Sequence, residues 1–386
     1  MSSSNIITLQ GGTLTARGLK LFGRAATAIV VFALAAHAAE TQKSQAAIGG
    51  EESHEALRAR IISPIEDKYG ELICQVEILE GRRSGETLEA RCPRKYAEVL
   101  RPGDVCLVRC ARGGAEILDP CRDRILLILI GLLALCLAVT MGARGLRVLA
   151  SIVIAVVLVV VVFLPLALRG WPPLLLAVAT CMLVCVGGTI LIGGWNRKSL
   201  YAIAGSLCAL CAAIWLPAVV CRVLAFTGLD AGFGLFHHLD VPLWYSPGLA
   251  KVNFYQLMLA GMVIASLGAI MDAAMGVSTA IWEVKQATPA ADRAHLRRSG
   301  FAVGRDIMGT MIIAIVLIYA GCQFEMLLLF HGRGLPYHPA LLLDHEEIAV
   351  EVVHMISTSF ALALSIPFTT LIAAHFLGRR YESKTS

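Results

Sequence analysis

The chain has 386 residues, of which 57% are hydrophobic and only 16% charged. A soluble domain carries about 25% charged residues, so this composition excludes a large soluble enzyme, a disordered chain and a nucleic-acid binder with a broad basic face. The formal charge of +5 names no partner by itself; what carries information is where the positive residues fall relative to the apolar runs.

In chain order, Arg17, Lys20 and Arg24 precede the apolar stretch Ala25 to Ala39, which ends in small residues. That is the grammar of a signal peptide or a retained signal anchor, and in either form it exports residues 40–124. This exported segment differs in kind from the rest. Residues 59–62, 71–79 and 105–109 predict short strands, with clear alternation in Cys74-Gln75-Val76-Glu77-Ile78. Gly81, Gly85, Pro102-Gly103-Asp104 and Gly113-Gly114 mark turns. The expectation is a small β-domain, OB-like or another β-barrel or sandwich. Its five cysteines, Cys74, Cys92, Cys106, Cys110 and Cys121, leave disulfides open in an oxidising compartment.

From Arg124 onward the apolar runs are long enough to cross a bilayer. They predict seven spans at about 125–143, 148–168, 173–194, 200–222, 253–281, 303–329 and 348–377. The fold class is therefore an α-helical polytopic membrane protein with about seven core helices, an N-terminal signal anchor and a small extracytoplasmic β-domain. The connections holding Arg144, Arg147, Arg197, Lys198, Lys285, Arg293, Arg297, Arg298 and Arg305, and the tail holding Arg379, Arg380 and Lys384, alternate with sparsely basic ones. By the positive-inside rule the basic connections and both termini are cytoplasmic. The domains are then a tail and anchor over 1–39, the β-domain over 40–124, the helical core over 125–378 and a cytoplasmic tail over 379–386. Cys181/Cys185 and Cys208/Cys211 lie in apolar runs and read as small hydrophobes; no pair of CxxC elements suggests a metal. The connection from Ala225 to Lys251, with Phe233, Phe236, His237, His238, Trp244 and Tyr245, reads as interfacial.

Three polar clusters interrupt the spans. In the fifth, Gly268, Asp272, Gly276, Thr279 and Glu283 fall on one helical stripe, with Gly261 above them. An acid facing lipid costs about 2.5–3.5 kcal/mol on insertion scales, so this face is expected to point into the bundle. Asp272 is then a proton- or cation-binding carboxylate, or an acid paired to hold helices together. The second cluster, Gly304-Arg305-Asp306 with Gly309 and Thr310, is expected to open the next, antiparallel span, where Arg305 could pair with Asp272, Glu283 or Asp306. Gly261, Gly268, Gly276, Gly304 and Gly309 are the expected helix-packing positions. The third cluster places Glu347, Glu351 and His354 on one face of the last span, an exterior vestibule. Its ExxH spacing resembles a di-metal bundle, but no matching ligands are in view and no metal is expected. An aspartyl-protease reading of Asp272 and Asp306 fails because Arg305 would keep Asp306 ionised; no catalytic residue, cofactor or phosphate-binding loop is evident.

The blocks Gly261 to Glu283, Ser299 to Thr310 and Glu346 to Glu351, with Gly142 to Arg147 and Pro102-Gly103-Asp104-Val105, resemble the YibE/F family of prokaryotic multipass membrane proteins. The resemblance implies an N-terminal anchor, an extracytoplasmic β-domain, a helical core and a place in the cell membrane. The function expected is a secondary transporter or permease coupled to protons or a cation, not an enzyme. Asp272 would be its binding carboxylate, Arg305 its gate, and Glu283, Asp306 and Thr310 its cytoplasmic lining. The alternative is a non-transporting assembly or sensory protein whose β-domain binds an envelope partner or ligand. The expected partners are the lipid bilayer, a small solute or ion, such an envelope protein and further copies of the chain, but no nucleic acid.

Overall fold

The computed structural model describes residues 56–68, 71–81, 83–111, 114–228, 251–324, 328 and 344–382. The N-terminal anchor, the aromatic connection around His237 and His238, and the final tail residues lie outside the described residues. The chain divides into two compact units, one containing the strands and the first helix, the other the helices from Leu146 onward.

In the first unit, β1 (Ala56–Ile61), β2 (Glu66–Lys68), β3 (Glu71–Ile78), β4 (Thr87–Arg91), β5 (Val105–Ala111) and β6 (Gly114–Pro120) follow in order. Five of them close into a barrel, β1-β5-β6-β4-β3 and back to β1, with β2 hydrogen-bonded to the outside of β3. Every pairing in the ring is antiparallel except β4 with β6, the order expected of an OB-like barrel. Closure leaves no free sheet edge in the ring. It follows from period-two alternation: Ala59, Ile61, Cys74, Val76, Ile78, Ala90, Cys106, Val108, Ala115 and Ile117 all point into one core. Gly103, at φ 99°, turns the chain into β5 in a conformation that Pro102 precedes and a side chain would strain. The barrel cysteines are thiols, not disulfides. Burial pushes Cys106 up to about 12, with neighbouring Cys74, Cys121, Cys92 and Asp104 adding to the effect. Burial, then Cys92, pushes Cys74 up to about 11. These thiols stay protonated at neutral pH and act as small core hydrophobes.

Among the described residues seven helices are long and apolar enough to cross a membrane: α1 (Asp123–Met141), α2 (Ala143–Leu168), α3 (Pro173–Gly193), α4 (Arg197–Val223), α5 (Phe254–Ala287), α6 (Arg293–Cys322) and α7, whose apolar part is Glu346–Gly378. α2 widens into a π-helical turn over Leu158–Phe163. α1 belongs to the first unit, where Arg58 of β1 holds Asp123 at 3.2 Å, and none of its residues is buried. In the second unit α7 packs on α4, α5 and α6, and α5 also packs on α3, α4 and α6. Half of the apolar windows of α5 and α7 is buried, against 11% for α6, so α5 and α7 form the centre of the bundle.

Two boundaries differ from the sequence-based expectation. α5 runs on to Ala287, and α6 begins at Arg293 rather than near 303. Asp292 causes the early start: its carboxylate accepts the His295 N–H at 2.8 Å, an N-cap that lets the basic turn Arg293–Arg298 be helical. The Ser299–Thr310 block therefore lies inside α6 and does not open it.

Candidate functional site

The polar groups of α7 begin at its first turn. Glu346 accepts hydrogen bonds from the backbone N–H groups of Thr227 (2.9 Å) and Gly228 (2.8 Å) and from the Thr227 hydroxyl, fastening this end of α7 to the chain just beyond α4. Two turns further on, His354 is buried. Its Nδ1 faces the Glu351 carboxylate at 3.7 Å, the i, i+3 geometry that the ExxH spacing sets up. Its Nε2 is 2.9 Å from the Tyr319 hydroxyl of α6. Thr358, one turn along α7, is near enough to that hydroxyl to interact with it electrostatically, and Thr358 Oγ1 lies 2.8 Å from Ser266 Oγ of α5. Ser266 in turn donates to the Met262 carbonyl at 2.7 Å. Glu351, His354, Tyr319, Thr358 and Ser266 thus form one chain of polar contacts across three helices.

His354 also forms part of the wall of a cavity of about 340 Å³, otherwise lined by Phe254, Leu257, Met258, Gly261, Met262, Val350 and Gly228. The cavity explains why Gly261 has open space around it.

The His354–Tyr319 bond can run either way, because the hydroxyl has one proton and can also accept a bond. In one direction the Tyr319 O–H donates to His354 Nε2. In the other, His354 Nε2–H donates to the Tyr319 oxygen, and the Tyr319 proton is free to turn toward Thr358.

The Asp272 stripe behaves differently. Met271 and Met275 turn toward Gly188 and Gly193 of α3, and Gly276 faces Ile307 of α6. Gly261, Gly268, Asp272 and Glu283 are left exposed on α5 between those two neighbours. The expected inward orientation of this face is thus not found: the inward side of α5 is taken by Val263, Ser266, Ile270, Ala273 and Val277, about 100° and more around the helix. Thr279 is half-buried on the same stripe.

Arg305 does not pair with an acid. Among the described residues no ion pair joins it to Asp272, Glu283 or Asp306, and its Nε donates to the Phe301 carbonyl at 3.3 Å. The reason lies in register and phase. A Cβ on Gly276 would meet Ile307 at 2.9 Å, and one on Gly300 would meet Ile281 at 2.7 Å. Arg305 is therefore level with a point about 8 Å along α5 from Asp272. Gly300 and Gly304 point at Thr370 and Ile366 of α7, which turns Arg305 and Asp306 outward, where both are exposed. Thr310 caps nothing beyond its own helix, donating to the Ile307 carbonyl at 3.0 Å.

Of the expected packing glycines, Gly276 and Gly304 do make close approaches, whereas Gly261, Gly268 and Gly309 have nothing within 4 Å of an added Cβ. Gly205 of α4 against Thr369, and Gly300 against Thr370, are close contacts that the sequence reading missed. Glu347 sits half-buried one turn before Glu351. Tyr319, Thr358 and Ser266 were also missed; the recurrence of polar residues at 354, 358, 365 and 369 along one helix face was the available signal. Among the described residues no group of three or more His, Cys, Asp or Glu side chains could hold a metal ion.

Residues 129–379 match the family described as YibE/F-like protein. No curated protein and no solved structure matches the chain.

Proposed function

The chain belongs to the YibE/F-like family, and from that premise we propose that it is a proton-coupled secondary transporter of the prokaryotic cell membrane. The observation that carries this reading is the buried His354, bonded to Tyr319 and facing Glu351 at the wall of a cavity, with the Thr358–Ser266 contact one turn along. A bundle that only anchors a domain has no need of a buried imidazole between a tyrosine and a carboxylate, since polar groups in a membrane are costly and collect along ion and proton paths.

In this reading the barrel is extracytoplasmic and the basic ends of α4, α5 and α6 are cytoplasmic, as the positive-inside rule requires. The His354 cavity then opens at the outer side. A proton arriving there is accepted by the His354–Glu351 pair. The pair holds that proton while the Tyr319 and Thr358 hydroxyls turn in response, and the same proton is released to water when the site opens to the other side. Asp272 adjoins Ala273, which packs near Leu362 of α7, so its exposed carboxyl lies midway along the bundle, with Thr310 beside it on α6 and Thr279, Glu283 and Asp306 further toward the cytoplasmic end. Asp272 is thus assigned to the flank of the path, and Arg305, turned away from it, to the cytoplasmic side.

The test is proton flux into liposomes carrying the full-length protein, a trapped pH dye and an imposed membrane potential. The wild type is expected to acidify the interior, and His354→Gln to abolish the flux while leaving the protein folded. Wild-type liposomes no leakier than empty ones, or a His354→Gln variant at full flux, would overturn the reading.

A further inference from the structure

The geometry points to a proton path along the inner face of α7, through His354, Thr358, Ser365 and Thr369, with Leu362 as the barrier between its outer and inner halves. This rests on the proton-coupled reading above. At 100° per residue these four positions stay within about 60° of one line, and none is exposed: His354 is 9% exposed, Thr358 2%, and Ser365 and Thr369 0%. From His354 to Thr369 the stripe covers about 22 Å of helix, most of a hydrocarbon core about 30 Å thick. Other hydroxyls are buried in the bundle, among them Ser199, Ser206, Ser278, Ser357 and Thr370, but these four positions follow one line of α7.

The two halves differ in how their hydroxyls are used. The outer pair is bonded: His354 to Tyr319, and Thr358 to Ser266. In the inner half, Ser365 donates to the Leu362 carbonyl at 2.7 Å, while Thr369 Oγ1 has no hydrogen-bond partner among the described residues. A buried, unpaired hydroxyl costs about 1–3 kcal/mol, a cost that a purely packing residue such as Val would avoid. Thr369 is admitted by Gly205 of α4, where an added Cβ would collide with its hydroxyl. Pro367, between Ser365 and Thr369, removes one N–H and so frees the Ala363 carbonyl in the same turn. The inner half thus offers acceptors and a donor that the bundle itself does not satisfy, which is what water molecules relaying a proton require.

Between the halves the stripe is apolar. Leu362 is fully buried against Ala273 of α5 and Ile315 of α6, and Ala361 against the α4–α5 packing. Two turns of helix, about 10 Å, separate Thr358 from Ser365, too far for direct transfer. Leu362 must move aside for water to join them, and that movement is the step that makes the path alternate between sides. The Asp272 stripe cannot substitute, because Ser266, the inner end of the outer chain, lies about 120° around α5 from Asp272.

The test uses the same liposomes with the full-length protein. Leu362→Ser should raise passive proton leak at least tenfold over wild type. Thr369→Val, which keeps shape and removes only the hydroxyl, should lower wild-type flux at least fivefold and suppress the leak in the double variant. Thermal unfolding of each variant in detergent shows that it is folded; should Leu362→Ser fail to fold, Thr369→Val alone decides. A folded Leu362→Ser that leaks no more than wild type, or Thr369→Val at full flux, would overturn the α7 path. If His354→Gln still abolishes flux in that case, proton coupling stands and only its route is wrong; if no variant changes flux, the coupling itself falls.

Discussion

Replacing Tyr319 by Phe removes the hydroxyl that bonds α6 to His354 of α7, and the structure sets how much that loss costs. The bond to His354 Nε2, at 2.9 Å, is worth about 0.5–1.5 kcal/mol net. Thr358 keeps Ser266 at 2.8 Å and is not orphaned. His354 borders a cavity of about 340 Å³, ample for a water that can replace the lost partner. The stability loss should therefore fall near the low end, about 1 kcal/mol. Transport is expected to suffer far more, at least tenfold, because a Phe ring offers His354 no hydroxyl to turn as its proton arrives. Denaturant unfolding in detergent and proton flux in liposomes, run on the same preparation, separate the two effects. Wild-type flux in Tyr319→Phe would refute the relay. A loss of flux no greater than the loss of folded protein would reduce Tyr319 to a structural bond.

Three further outcomes follow from the packing. Gly304→Leu should destabilise by about 1–3 kcal/mol, since its side chain meets Ile366. Gly309→Leu, with nothing within 4 Å, should stay within about 0.5 kcal/mol; unfolding midpoints of the pair check this. Cys74 and Cys106 should resist alkylation at pH 8 in the folded barrel, because burial holds them at about 11 and about 12. Unfolded thiols ionise near 9.0, so between that pH and 11–12 the unfolded state binds fewer protons than the folded one. Barrel stability should then fall as pH rises through that window, which thiol-labelling rates report. Asp272→Asn breaks no ion pair, so it should leave unfolding unchanged within about 0.5 kcal/mol and lower proton flux only several-fold, in contrast to His354→Gln.

Much of the helical architecture was legible because the bilayer imposes a length and an apolar composition that no soluble fold shares. The strands β1, β3 and β5 were legible by alternation. β2 is three residues long, and β4 (Thr87–Arg91) buries one residue; a strand that short and that polar is defined by its neighbours in the ring and not by its own pattern. The orientation of Asp272 was not legible, for a related reason. The rule that membrane acids point inward assumes a helix with one covered side, whereas α5 touches α3, α4, α6 and α7 and still leaves a strip between α3 and α6 open. Glycines at Gly268 and Gly276 look alike in sequence, yet only Gly276 meets a neighbour. Pairing Arg305 with Asp272 required the α5–α6 register, and the Asp292 cap that moves the start of α6 is a single side chain. The His354–Glu351 half of the relay was visible as an i, i+3 pair; the Tyr319 and Ser266 halves come from other helices and depend on tertiary contact alone.

The central claim is that proton uptake at His354 reverses its hydrogen bond with Tyr319. Nuclear magnetic resonance of the full-length protein in lipid nanodiscs, with ¹⁵N-histidine and ¹³C-tyrosine labels and with His354→Gln and Tyr319→Phe to assign the signals, observes both ends at once. The account predicts that, as pH falls, His354 gains a second N–H while the Tyr319 ring-carbon signal shifts over the same pH range. A His354 that gains its proton while Tyr319 stays unchanged would contradict it.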